Sequence, residues 1–163
     1  MDYRAFKVNV TLVEGIEGVL SFVNFFHKSK VYAAVSITGS SLANQETPLA
    51  KYFGEYPVWN CPMKFYLKES KLQENALTLR IQLRRKRMFG GDEHIAEALV
   101  PLKNLFDGNK NVMDENYCSS WLLSQSGGRR GFVYFSYYFS RTYPATAGSD
   151  GNSIVAPLSA WDR

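Results

Sequence analysis

The chain has 163 residues, which suits one domain with a hydrophobic core, and its hydrophobic fraction of 45% predicts a packed globule. Two cysteines exclude a disulfide framework, and the absence of a long apolar run excludes a spanning helix in this sequence. A net charge of +4 indicates an anionic partner but leaves open whether this is phospholipid, nucleic acid or an acidic protein face.

Apolar alternation with a period of two runs through most of the chain and predicts short strands. The predicted strands are Phe6–Leu12, Val31–Thr38, Asn44–Pro48, Val58–Leu67, Ala76–Arg84, Ile95–Leu102, Tyr117–Leu123 and Phe132–Phe139. Pro101–Asp107 has helical apolar spacing, with a proline suited to a first turn and Gly108 after it. Together these segments predict an all-β fold, an eight-stranded antiparallel β-sandwich with one short helix.

The alternation stops near Arg141, and the following segment is rich in small and polar residues that could bury little surface. We therefore expect a β-sandwich over residues 1–140 and a flexible tail over residues 141–163. The last predicted strand, Phe132–Phe139, is apolar on both faces. This pattern fits either a covered strand or an edge that pairs with a second copy in a homodimer, and the sequence leaves both open.

The run Arg84-Arg85-Lys86-Arg87-Met88-Phe89 follows an alternating strand. Cations beside apolar residues at a loop tip suit an anionic membrane, with charges for the phosphates and a wedge for the acyl boundary. The alternative is a solvated charge run whose Met88 and Phe89 fold back onto the core.

The sequence carries no convincing catalytic constellation. His27 and His94 are its histidines, and neither has metal-ligand spacing with Cys61 or Cys118. No Gly-x-Ser-x-Gly elbow or phosphate-binding glycine loop is present, so we predict a protein that is not an enzyme and has no cofactor. The two cysteines are expected to be reduced thiols in a cytosolic protein.

Four segments carry a more specific pattern: the turn Gly54–Asn60, which contains Trp59-Asn60, the strands Val31–Val35 and Leu77–Ile81, and the strand Ile95–Leu102 before the predicted helix. They resemble the C2 domain family, in which an Asn-Pro-x-Trp-Asn turn, two such strands and a strand before a helix occur, and the resemblance covers roughly residues 3–140. Gln45–Pro48 and Val133–Phe139 are similar to segments of the short plant C2 proteins linked to stress and defence. The resemblance implies the C2-like Greek-key sandwich.

The resemblance also implies where calcium ligands should lie, and this chain lacks them. Lys30 stands at a position that is usually Asp, and the third loop reads Arg84–Arg87 where the family has a series of aspartates. Glu14, Glu17 and Asp92 are the acids that remain nearby. Because cations repel calcium and too few carboxylates remain to replace its water, we expect no metal site.

The same substitutions predict binding of anionic phospholipid. Six cations at about 1 kcal/mol each set a ceiling of about 6 kcal/mol. Four apolar residues could insert, although the phenylalanines of the first loop could instead pack beneath that loop. The predicted lipid-binding residues are Lys28, Lys30, Arg84, Arg85, Lys86, Arg87, Met88, Phe89, Phe25 and Phe26.

A second, weaker groove of the kind found in some C2 domains would use Lys51 and Lys64, whose plainer interpretation is that both are solvated lysines. We therefore predict a calcium-independent module that binds membranes peripherally from the cytoplasm, at the plasma membrane or endomembranes, in plant stress or defence signalling. The main alternative is a protein-interaction adaptor without useful lipid affinity. Nucleic-acid binding through Arg84–Arg87 ranks third, because four basic residues are weak evidence for it.

Overall fold

The computed structural model describes residues 2–15, 30–42, 44–54, 56–109 and 111–144, which form ten strands and two short helices. The predicted all-β class is therefore confirmed. The elements are β1 (Asp2–Glu14), β2 (Val31–Thr38), β3 (Gln45–Glu46), β4 (Lys51–Phe53), β5 (Tyr56–Val58), β6 (Met63–Lys68), α1 (Glu69–Gln73), β7 (Thr78–Arg85), β8 (Glu93–Pro101), α2 (Leu102–Asp107), β9 (Asn116–Leu123) and β10 (Arg129–Pro144).

The strands pair antiparallel in the order β3-β2-β7-β8-β9-β10-β1-β5-β4, and β6 also pairs with β1. The sheet curls strongly and encloses one main core. β8 and β9 meet at a single register pair among the described residues, Glu97 opposite Leu123. This narrow junction separates the two halves of the sandwich.

The core is built from the inward faces of the alternating strands. Phe6 lies opposite Phe139 on one side and Phe65 on the other, and all three side chains are fully buried. The rings of Phe6 and Phe139 lie 5.0 Å apart between centroids. Since burying a phenylalanine stabilises a fold by about 1.5–3 kcal/mol, this row fixes the register of the three strands.

The strand predicted over Val58–Leu67 is interrupted: it contains the last residue of β5, Val58, and most of β6, with residues 59–62 outside any strand. The Asn9 side chain accepts the Cys61 N–H at 3.1 Å and donates to the Asn60 side chain at 3.0 Å. Pro62 has no N–H to donate to a ladder. These contacts turn the chain away from the sheet between Trp59 and Pro62, which alternation alone does not indicate.

The final strand also differs from the expectation. β10 pairs with β1 on one side and β9 on the other, so it is a covered strand, and the alternative of an edge for dimer pairing is wrong. It continues to Pro144, because Tyr143 pairs with Tyr3 and both are buried. Residues 141–144, assigned above to the tail, therefore belong to the sheet, while residues 145–163 lie outside the described ranges.

Candidate functional site

One end of the sandwich, called the loop end below, is where β1 ends, β2 begins, β7 ends and β8 begins. Arg85 pairs with Val31 of β2 and with Glu93 of β8, so the basic run starts inside the sheet. A register shift in the β7–β8 ladder between Leu83 and Arg84 adds local twist at this point. The sheet therefore positions the connection 86–92 as a projecting loop.

Met88 and Phe89 form the apolar tip of this loop. Their exposed fractions are 90% and 84%, so they do not fold back onto the core. Gly90 follows with φ of +79°, a conformation that glycine adopts without strain and that turns the chain back toward β8.

The arginines of the run are partly engaged by the protein itself. Arg84 donates to the Tyr32 hydroxyl at 3.3 Å and to the Asp92 backbone oxygen at 3.4 Å. Glu93 forms an ion pair with Arg85 and a second one with Arg87 at 3.4 Å. Arg84 and Arg85 are only half-exposed, so they support the base of the loop more than they present charge to a ligand.

Three lysines lie side by side at the loop end and make no ion pair with a described acid. The Lys86 N–H donates to the Lys30 carbonyl at 2.9 Å. The Ala50 N–H donates to the Val31 carbonyl at 2.7 Å, which places Lys51 on the other side of Lys30. Because adjacent strands lie about 4.8 Å apart, the three backbones span only about 10 Å. All three lysines are exposed.

The structure does not bring Lys51 and Lys64 together. Lys64 lies opposite Lys7 on β1, whereas Lys51 lies beyond Val58, which pairs with Leu12. Five residues along β1 separate these levels, a distance of about 17 Å. Lys51 therefore joins the loop end, and Lys64 lies on the sheet beside Lys7.

The described acidic residues near the loop end each have a hydrogen-bond or ion-pair partner in this chain. Glu14 accepts a hydrogen bond from the Tyr134 hydroxyl, and Asp92 accepts one from the Tyr32 hydroxyl at 2.5 Å. Burial and then the bond to Asp92 raise the pKa of Tyr32 above its ordinary value. In the described part of the chain, no three His, Cys, Asp or Glu residues come together as a metal site.

This end also carries an aromatic feature that was not predicted from the sequence. β4 and β5 form a hairpin around Gly54, called the aromatic hairpin below, with Phe53 77% exposed and Tyr56 43% exposed. The signal in the sequence is that three aromatic residues flank Gly54: Tyr52 and Phe53 before it and Tyr56 after it. Only the part from Gly54 onward was interpreted above, and only as a turn. Three-residue strands are too short for alternation to reveal.

Phe25, Phe26 and Lys28, which were predicted to bind lipid, lie outside the described residues. Within the described ranges, neither helix has the length and apolar character needed to cross a bilayer.

The fold and the loop arrangement define the class of protein. The C2 domain pattern matches residues 7–118, and the chain belongs to the C2 domain family. The expected family is therefore confirmed.

Among curated proteins, the chain is similar to plant proteins called SRC2. It is 37% identical to Protein SRC2 of Glycine max over 158 residues, covering 96% of this chain and 53% of that protein. It is 29% identical to a Protein SRC2 homolog of Arabidopsis thaliana, covering 100% of this chain and 48% of that protein. The chain thus spans about half the length of these relatives.

Two solved structures have the same fold. A C2 domain of plant Extended Synaptotagmin 1 matches with a TM-score of 0.63 at 13% identity, covering 83% of this chain and 92% of that one. A C2 domain-containing protein from a putative elicitor-responsive gene matches with a TM-score of 0.61 at 17% identity, covering 89% and 92%.

Proposed function

We propose that this protein is a non-catalytic, calcium-independent C2 module that binds anionic phospholipid through its loop end. The observation that carries the proposal is the projecting tip of Met88 and Phe89 beside three exposed lysines that lack described acidic partners. Cations near an anionic surface contribute about 1 kcal/mol each, and a buried apolar tip adds about 1.5–3 kcal/mol. The predicted contacts Lys28, Phe25 and Phe26 remain part of this proposal.

Independence from calcium is supported by the state of the nearby acids. Glu14, Asp92 and Glu93 each bind a tyrosine or an arginine of the same chain. A calcium ion would need 6–8 oxygen ligands, so binding one here would require breaking these contacts beside a cluster of cations. The permanently charged lysines of the loop end would attract anionic lipid directly, so no calcium ion is needed to bridge the loops and the lipid.

We further propose that the protein works in the cytoplasm, peripherally attached to the plasma membrane or endomembranes. Cys61 and Cys118 are both free and half-exposed, which suits a reducing compartment. A role in stress or defence signalling is suggested by the similarity to a C2 protein from a putative elicitor-responsive gene.

Two charge-reversal variants test the lipid site. Lys30→Glu with Lys86→Glu changes two residues of the loop end and takes the net charge of the whole chain from +4 to 0, without removing the arginines that support the loop. We expect binding to anionic vesicles to weaken at least about 30-fold, since two cations at about 1 kcal/mol each are lost.

The matched control is Lys68→Glu with Arg141→Glu, which makes the same charge change at exposed residues of the opposite end. This variant should bind almost as the unchanged protein does. Equal weakening by both variants would show that net charge alone matters and would contradict a site at the loop end.

A protein-interaction adaptor is the second candidate, and one feature favours it. The outer side of β9 presents Tyr117, 79% exposed, next to a groove of about 470 Å³ that Tyr134 and Leu12 also line. Exposed aromatic residues are common at protein interfaces. An adaptor would keep its partner after the Lys30→Glu and Lys86→Glu changes, whereas a lipid-dependent protein would lose its membrane location.

A further inference from the structure

We propose that two copies of this chain associate by antiparallel pairing of their β9 strands, with Ser119 of each copy at the two-fold axis. The partner is a second copy of the chain, and the surface is the outer edge of β9 with the side chains beside it. This inference goes beyond the proposed lipid binding and does not depend on it, because no lysine of the loop end belongs to this surface.

The outer edge of β9 is open to a further strand. β9 pairs with β10 from Asn116 to Leu123, but among the described residues it meets β8 at Leu123 alone. Over residues 116–122, no described backbone group outside β10 hydrogen-bonds to the strand. Unpaired N–H and C=O groups along a strand form a template on which another strand can pair.

Other edges of the described sheet carry features that hinder such pairing. β3 and β4 have only two and three residues. β8 carries Glu93 and Glu97, and β6 carries Lys64 and Lys68. The Gln45 side chain also donates to the Lys64 carbonyl at 2.7 Å and so covers part of the edge of β6. β9, in contrast, has eight residues and contains no charge and no proline, so nothing in its sequence protects its edge.

The charges at the two ends of β9 favour a second copy as the occupant. Glu115 directly precedes the strand, and Arg129 pairs with Leu123 at its far end. Both charged residues are exposed, and neither forms an ion pair within the described part of the chain. About 26 Å of extended chain separates the levels of Glu115 and Leu123, so the two charges cannot meet within one copy.

Antiparallel pairing brings these opposite charges together twice. With Ser119 at the axis, Glu115 of each copy lies opposite Leu123 of the other copy, on the strand next to its Arg129. A parallel arrangement would instead place like charges side by side, which is unfavourable. The distribution of charge therefore selects the antiparallel arrangement of two identical strands.

The exposed side chains of β9 are also complementary in this register. Tyr117, Ser119 and Trp121 alternate onto the outer face, and Tyr117 is 79% exposed. Tyr117 of each copy then lies opposite Trp121 of the other, and aromatic pairs across strands are favourable. Trp121 is already positioned for this contact, because its ring stacks on Phe132 with centroids 3.8 Å apart.

The pairing directs the loop ends of the two copies in opposite directions. β9 runs toward the loop end, where Phe132 pairs with both Trp121 and Glu14. Two antiparallel copies therefore could not both place their loop ends on one flat membrane. The association is accordingly measured without lipid, so that its failure and a failure of the proposed lipid binding are separate results.

Sedimentation equilibrium of the full chain from about 1 to 300 µM measures the association. We expect a monomer–dimer equilibrium, since one pair of strands falls in the size class of transient complexes. Ser119→Lys should weaken the dimer at least about ten-fold, because the two lysines would face each other at the axis. Ser41→Lys makes the same charge change at an exposed serine of another loop and should dimerise like the unchanged protein. A monomer at all concentrations, or equal weakening by both variants, would overturn the inference.

A charge exchange tests the contact between copies. Glu115→Arg and Arg129→Glu should each weaken the dimer about five-fold, because each replaces an attraction with a repulsion at two symmetric contacts. The double variant has opposite charges across the interface again and should recover most of the loss. Because the two residues are too far apart to meet in one copy, recovery reports a contact between copies. A double variant weaker than either single one would contradict this arrangement.

A disulfide cross-link tests the register. Ser119→Cys is placed in a background with Cys61→Ser and Cys118→Ser, which removes the native thiols. A residue at the axis faces its own copy with Cα atoms about 4.5–5.5 Å apart, a separation that a disulfide can span. Mild oxidation should therefore link this variant into dimers and leave the control Ser41→Cys monomeric. Failure of Ser119→Cys to cross-link at concentrations where sedimentation detects the dimer would show that β9 is not the interface.

Discussion

At the scale of single residues, Arg4 joins three elements at the end of the sandwich opposite the loop end. Its guanidinium donates to Glu69 of α1 at 2.7 and 3.0 Å and to the Ser140 backbone oxygen at 2.7 Å. It also lies over the Phe106 ring of α2, 4.7 Å from the centroid. Burial alone would raise the pKa of Glu69, but hydrogen bonds from Arg4 and Gln73 outweigh it and lower that pKa.

Glu69→Gln should lower the free energy of unfolding at pH 7 by about 2 kcal/mol, because a nearly buried guanidinium loses its counter-charge. The folded-state pKa of Glu69 lies below the ordinary 4.5. The ionised Glu69 therefore adds to the free energy of unfolding at pH values above 4.5, and this stabilisation is lost as pH falls through the folded-state pKa. Urea unfolding at neutral and acidic pH measures both effects. Glu74→Gln, at an exposed position beside α1, is the control, and an equal loss there would contradict the prediction.

Tyr143→Phe should leave stability unchanged or raise it by up to about 1 kcal/mol. The Tyr143 hydroxyl is buried without a hydrogen-bond partner in the described part of the chain. Tyr137→Phe is the contrast, because the Tyr137 hydroxyl donates to the Leu105 carbonyl at 3.2 Å, and its loss should cost about 1 kcal/mol. Thermal unfolding of the two variants at neutral pH measures this difference. A larger loss of stability for Tyr143→Phe than for Tyr137→Phe would contradict the prediction.

Tyr143 should also make the unchanged protein sensitive to alkali. Burial raises the pKa of Tyr143 to about 12, whereas the unfolded chain ionises near the ordinary 10.0. The stabilising effect of a neutral Tyr143 is therefore complete below pH 10 and is lost as pH rises toward 12. Across pH 9–11, the melting temperature of Tyr143→Phe should fall less steeply with pH than that of the unchanged protein. Parallel curves for the two proteins would argue that ionisation of Tyr143 does not cause the sensitivity to alkali.

At the scale of elements, the turn after β2 depends on Gly39. Its φ is +87°, and a Cβ added there would lie 2.0 Å from the Ala76 backbone oxygen. Gly39→Ala should therefore destabilise the fold by more than about 2 kcal/mol. Gly91→Ala, where the added Cβ meets nothing within 4 Å, should be nearly neutral, and similar unfolding midpoints for both variants would contradict the account.

Elements with a local sequence signal could be predicted, including the short helix α2 and the short strand β3, whereas α1 and the strands of the aromatic hairpin could not. The strands now called β2 and β9 were placed to within one residue, because each is an eight-residue segment with aromatic or β-branched side chains and has turn residues after its end. α1 has five residues and the strands of the aromatic hairpin have three, which leaves no period to detect.

The site was predictable where it depended on local sequence and unpredictable where it depended on pairing. The exposed tip of Met88 and Phe89 follows from an apolar pair beside charges and glycines. The grouping of Lys51 with Lys30 depends on the Ala50 bond to Val31, a contact between separate segments. The resemblance to C2 domains with a lysine-rich groove therefore placed Lys51 with Lys64 instead.

At the scale of the whole molecule, the two ends of the sandwich differ in character. Both ends carry exposed cations, Lys68 and Arg141 among them at the opposite end, but the exposed tip of Met88 and Phe89 lies at the loop end. The opposite end is closed by the largely buried ion pair of Arg4 and Glu69. If the proposed function is right, this difference predicts that the sandwich binds a membrane with its loop end toward the lipid.

Co-sedimentation with neutral and anionic liposomes, each with calcium and with chelator, tests the central claim most directly. The account predicts binding to anionic liposomes alone, equal in both conditions and weakened by salt. Binding that requires calcium, or no binding to anionic liposomes, would contradict it.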